Sequence, residues 1–198
     1  MKFFRRLFLE VKFFFVRYHP WTVKYIKTIR KIEKILEIPE CVFAYIVDIE
    51  TNTPAILFKA EGKDIRYLIP SKIPQTIPSS SAIHEVRHRL QKENGVRLIT
   101  EKELQNFPDF LKFIEELKFR EDKEEIDAII CEKIGFLLLR TNEIEQFKEL
   151  MLNSMLPAKL PDNVKIETQI TAEDLKIIVT IKKPFLTEKI ISTMRRTG

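Results

Sequence analysis

Residues 79–95 read Ser79-Ser80-Ser81-Ala82-Ile83-His84-Glu85-Val86-Arg87-His88-Arg89-Leu90-Gln91-Lys92-Glu93-Asn94-Gly95. Inside this stretch His84-Glu85-Val86-Arg87-His88 has the pattern H-E-x-x-H. Pro78 interrupts whatever precedes it, the three serines offer N-cap oxygens, and Asn94-Gly95 supplies the left-handed residue that commonly ends a helix. The spacing therefore predicts about four turns of helix. Ile83, Val86 and Leu90 fall within about 60° of one another on that helix and form a core-facing stripe. His84 and His88 stack one above the other, roughly 150° from the centre of the stripe. They must face water or a second element across a cleft. Two imidazoles so placed can bind one Zn²⁺, and Glu85 beside the first can take a proton from a water on the metal.

A catalytic zinc takes three protein ligands and leaves one position open. The chain has 3 His, and the third, His19, lies in a helix break next to Pro20, where a helix-end role is expected. A carboxylate is the better third ligand, and an acidic cluster (Glu121, Asp122, Glu124, Glu125, Asp127) opens a helix some thirty residues after the motif. The same acids also suit a helix N-terminus through its dipole. Arg87, on a flank of the apolar stripe, is placed to pair with one of them in a structural role.

The longer string His84-Glu85-Val86-Arg87-His88-Arg89-Leu90-Gln91 and the later Glu125-Ile126-Asp127-Ala128 resemble the minimal gluzincin-type metallopeptidases. The closest types are the ImmA/IrrE-like peptidases and small proteins whose helix reads H-E-[IV]-R-H-x-x-Q. The resemblance covers about residues 42–140. It departs from that pattern at Ile126, where the family carries a small Ala, and no accompanying helix-turn-helix is visible. It implies a small antiparallel sheet whose edge strand runs above the active-site helix. It implies Zn²⁺ held by His84, His88 and a glutamate, Glu125 first and Glu124 next, with Glu85 as general base. Asp127 is expected to orient a His through its other ring nitrogen. An extended peptide would then pair with the strand near Asp64–Leu68, and Tyr67 is the nearest tyrosine for an oxyanion.

Before the motif, residues 42–49, 55–60 and 64–68 read as three strands in an antiparallel meander, with turns at 51–54 and 61–63 and a Pro-rich connection over 70–78. After it, Thr100 to Glu103 forms a capping box, and helices are expected to about 118, over 121–139 and over 143–155. Residues 164–171 and 175–182 alternate as a second hairpin, followed by a short basic helix. Residues 2–18 and 21–37 read as two amphipathic basic helices broken at His19-Pro20. The expected class is α+β. The parts are a basic helical pair (1–38), a metallopeptidase-like core (39–156) and a C-terminal β-hairpin with a short helix (157–198).

Of the 198 residues 44% are hydrophobic and 32% charged, with 4 Gly, which suits a helix-rich globular chain. Abundant Lys, Glu and Ile suit a thermophile. Cys41 and Cys131 form no C-x-x-C, so two buried thiols in a reducing cytoplasm are expected. No apolar run approaches the length of a membrane span, and charges interrupt Met1–Phe15, so neither a transmembrane helix nor a signal peptide is expected. Residues 1–35 carry 10 Lys or Arg against Glu10 and Glu33, a local +8 in a chain whose net charge is +5. That asymmetry suits an anionic partner, nucleic acid or a membrane surface. Two functions are therefore expected: a zinc-dependent hydrolase acting on peptides, or a non-catalytic binding module whose basic N-terminal helices hold the anionic partner.

Overall fold

In the computed structural model, the described residues are 2–45, 55–57, 66–69, 80–117, 122–171, 174–183 and 185–195. They form helices α1 (Lys2–Tyr18) and α2 (Pro20–Leu36), strands β1 (Val42–Tyr45), β2 (Ala55–Leu57) and β3 (Arg66–Ile69), and helix α3 (Ser80–Asn94). A 3₁₀ segment (Glu101–Asn106) leads to α4 (Pro108–Leu117), α5 (Lys123–Arg140) and α6 (Ile144–Asn153), and the chain closes with β4 (Val164–Ile170), β5 (Asp174–Lys183) and β6 (Leu186–Arg195). The class is α+β, as expected. The predicted turns at 51–54 and 61–63 and the connection over 70–78 lie outside the described residues.

The motif helix forms where its punctuation predicts. Gly95 follows it at φ 57°, the left-handed conformation that glycine adopts without steric cost. Ile83, Val86 and Leu90 are buried, and with Ile130, Ile134 and Leu138 of α5 they belong to one continuous core. Gly135 marks a close approach. A Cβ there would lie 3.0 Å from the Phe147 ring and 3.3 Å from Ile83, so glycine lets α3, α5 and α6 meet. On α5, Asp122 is the N-cap, accepting from the Glu125 amide at 2.7 Å. His19 caps α2 by accepting from the Trp21 amide at 3.3 Å.

Ile29, Ile32 and Leu36 bury one face of α2 in the core, and a buried ion pair joins it to α3: Arg89 donates to Glu33 at 2.6 Å. The same carboxylate accepts from Arg30 at 2.6 Å and from the Cys41 amide at 3.0 Å, which fixes where the chain leaves α2 for β1. Both cysteines are buried thiols outside any disulfide.

Two features of the strands correct the sequence reading. First, the N-terminal sheet is not an antiparallel meander. Its order is β1-β3-β2, with β1 parallel to β3 from Val42↔Arg66 to Tyr45↔Ile69 and only β2 antiparallel to it. β3 takes the middle because Tyr67 and Ile69 are buried, whereas β1 is half-exposed and suits an edge. Both edges of β3 are thereby occupied, so an extended peptide cannot add to it; among the described residues the outer edges belong to β1 and β2. Second, the predicted C-terminal helix is strand β6, paired with β5 along its whole length from Asp174↔Arg195 to Lys183↔Leu186. Its β-branched residues Thr187, Ile190, Ile191 and Thr193 favour a strand, and β5 presents an edge to receive it. This second sheet lies against α4, where Thr168 donates to the Asp109 carbonyl at 2.5 Å.

Candidate metal centre

Helix α3 turns His84 and His88 well away from its apolar stripe, and α5 packs along the flank between the two, through Arg87 and Gln91. The side chains at the start of α5 and two turns on therefore meet the two imidazoles. His88 Nε2 lies 2.9 Å from Glu125 Oε2 and 3.1 Å from His84 Nε2, and His84 Nε2 lies 3.2 Å from Glu125 Oε1. One ligand atom from each of the three residues falls within 4.8 Å of the others, so His84, His88 and Glu125 form a group that could hold a metal ion. Glu124 points elsewhere and pairs with Lys92.

A second layer holds the imidazoles. His88 Nδ1 is 2.8 Å from Gln91 Oε1, and the Gln91 amide donates to the Glu124 carbonyl at 2.9 Å and to Asp127 Oδ2 at 2.7 Å. Because both Gln91 N–H groups have acceptors, its oxygen faces His88 and must accept. His88 Nδ1 therefore donates to Gln91, which leaves Nε2 as the atom that would turn a lone pair toward a bound ion. On the other side His84 Nδ1 lies 3.4 Å from Glu132 Oε2, long for a hydrogen bond. Glu132 is fixed by Ser80 at 2.9 Å and Lys133 at 2.7 Å.

The expected role of Asp127 is thus corrected. It reaches neither imidazole and instead clamps Arg87, accepting from Nε at 2.6 Å and Nη2 at 3.0 Å, and also accepts from the Ile99 amide at 2.8 Å. It acts on His88 only by holding Gln91. Arg87, fully buried, also donates to the Met151 carbonyl at 2.6 Å, the Arg97 carbonyl at 2.8 Å and Ser154 at 2.7 Å. Its role is structural, as its position beside the apolar stripe predicts.

The electrostatics favour a cation. Burial works against charge on His84, yet Glu125 and Glu132 outweigh it and raise the imidazole to about 10. His88 is raised too, because Glu125 again outweighs burial. Hydrogen bonds from the two imidazoles hold the Glu125 carboxyl far below the usual range. Burial opposes ionisation of Glu132, but His84 and Lys133 hold it down at about 2. A field that draws protons onto two imidazoles also suits a divalent ion, and N,N,O donors are a zinc-type set.

Glu85 is buried, and its Oε2 meets no hydrogen-bond partner among the described residues. Burial pushes it up to about 7, against the pull of both imidazoles. It is a carboxylate able to take and release a proton near neutrality. Tyr67 is packed on Phe43, with ring centroids 5.3 Å apart, and its buried hydroxyl senses Glu33 and Arg89. The tyrosine that senses Glu85 is Tyr25 of α2, raised first by burial and then by that carboxylate.

Sequence reasoning missed Glu132, Gln91 and Tyr25. Glu132 was within reach, since seven residues beyond Glu125 is two turns of the same helix face. Gln91 stands in the longer motif, but the motif alone gives it no partner. Nothing local marks Tyr25, which reaches the site only through the packing of α2. No family model matches the chain, and neither a curated protein nor a solved structure matches it.

Proposed function

We propose that the chain is a zinc-dependent hydrolase acting on peptide bonds. The observation that carries this reading is the convergence of His84 Nε2, His88 Nε2 and a Glu125 oxygen within 4.8 Å, with Glu85, whose buried Oε2 has no hydrogen-bond partner among the described residues, next in sequence to the first ligand. His84, His88 and Glu125 would hold the ion, and Gln91 and Glu132 would fix the two rings. Zinc so held supplies a Lewis acid that acidifies a water and polarises a carbonyl. Glu85 takes the proton of the attacking water, and its pKa near neutrality lets it release that proton to the leaving amine. Burial of Glu85 keeps bulk water from competing for that proton.

The reading is tested with Glu85→Gln, which keeps the shape and removes the base. With a quenched-fluorescence peptide library as substrate, kcat should fall by about 10²–10⁴ while bound metal stays at the wild-type level. Cleavage by the variant at the wild-type rate would refute the proposed role of Glu85.

A further inference from the structure

Among the described residues, helix α1 meets the body on one side. Val16 is buried, and the Phe13 ring meets Tyr45 edge-on at 5.3 Å. Those two positions lie on one arc of the helix. Roughly opposite, on an arc of about 120°, fall Phe8, Val11, Phe14, Phe15 and Tyr18. All five are exposed, between 46% and 66%. The outer face is thus a continuous aromatic and aliphatic surface pointing away from the core. Lys12 and Arg17 flank it, the Lys12 ammonium 4.7 Å from the Phe8 ring centre and the Arg17 guanidinium 5.6 Å from that of Tyr18, with the acid Glu10 on the Arg17 side. On α2, Lys24, Lys27, Lys31 and Lys34 are exposed and recur on one face. No helix among the described residues is long and apolar enough to cross a membrane.

We propose that α1 is an interfacial anchor, its Phe8–Val11–Phe14–Phe15–Tyr18 face seated in an anionic lipid surface with Lys12 and Arg17 at the headgroups. A second copy of the chain fits this face less well, because pairing two copies would bring two N-terminal regions of local +8 together. Nucleic-acid phosphates would use the lysines and leave the apolar arc in water. An anionic bilayer satisfies both parts at once: rings enter the boundary between headgroups and acyl chains, and basic side chains snorkel to phosphates. The inference is independent of the metal centre, so failure of one leaves the other standing.

The test uses the full chain with vesicles of phosphatidylcholine alone and of phosphatidylcholine with phosphatidylserine, separated by flotation. The wild type should float with the anionic vesicles and remain below with the neutral ones. The triple variant Phe8→Ser, Phe14→Ser, Phe15→Ser should lose affinity by at least about tenfold with an unchanged Tm, since the side chains removed are solvent-exposed. Lys12→Glu with Arg17→Glu should also weaken flotation. Four results would overturn the proposal: no flotation of the wild type; equal flotation of the triple-serine variant; a wild-type dimer in light scattering that the serine variant abolishes without any vesicle binding; or retention on a duplex DNA oligonucleotide alone.

Discussion

At the scale of single residues, the candidate centre depends on side chains that never touch the metal position. Gln91 fixes the His88 tautomer because both of its own N–H groups are committed, to Glu124 and Asp127. Gln91→Leu leaves the helix intact and removes that constraint, so zinc affinity should fall by about 10–100-fold with little change in Tm, measured by chelator competition. Unchanged affinity would show that packing alone sets the ring. Asp127 has the opposite profile. It is fully buried against a fully buried Arg87, and the pair joins α3 to α5, to the Met151 carbonyl and to the Arg97 carbonyl. Asp127→Ala would strand the guanidinium in the core and should cost about 3–5 kcal/mol in urea unfolding. A loss below about 1 kcal/mol would mean that solvent reaches Arg87.

At the scale of elements, local signals and tertiary pairing divide cleanly. The motif helix was legible because Pro78, three serines and Asn94-Gly95 bracket a stripe with helical period. Thr100 and Glu103 were equally legible: the Thr100 amide and hydroxyl donate to Glu103 at 2.8 and 2.7 Å, and Arg97 adds a salt bridge at 2.7 Å. Together these hold the Glu103 carboxyl down at about 2. Its folded pKa lies below its unfolded value, so the contribution to stability is present above about pH 4.5 and is lost as pH falls toward 2. Arg97 is largely exposed, so the contribution is small, about 0.5–1 kcal/mol. Glu103→Gln should therefore lower stability at pH 7 by that amount and not at pH 2, read as a shallower acid limb in chemical unfolding. The errors lay where pairing is non-local. The alternation in residues 186–195 is weak, and their strand character comes from the edge of β5 that they cover. The parallel β1–β3 pair could not be read from a run of three short strands, because nothing local says which one takes the middle.

At the scale of the whole molecule, the α+β class and the order of the helices follow from patterning, whereas the centre follows from packing. His84 and His88 were identifiable from their spacing, and Glu125 from a weaker acidic cluster that offered several acids. The choice among those acids is made by the way α5 is capped at Asp122 and laid across α3. The supporting residues Glu132 and Tyr25 become visible only once α5 and α2 are docked on the motif helix. One core therefore positions the whole group. Its central claim is that His84, His88 and Glu125 together hold one divalent ion. The most direct measurement is elemental analysis of the untagged full chain, reconstituted with zinc at neutral pH and desalted, beside His84→Ala and Glu125→Ala variants shown by circular dichroism to be folded. The account predicts about one zinc per wild-type chain and a loss of most of it in both variants. A wild-type chain that retains no metal, or variants that retain as much as the wild type, would contradict it.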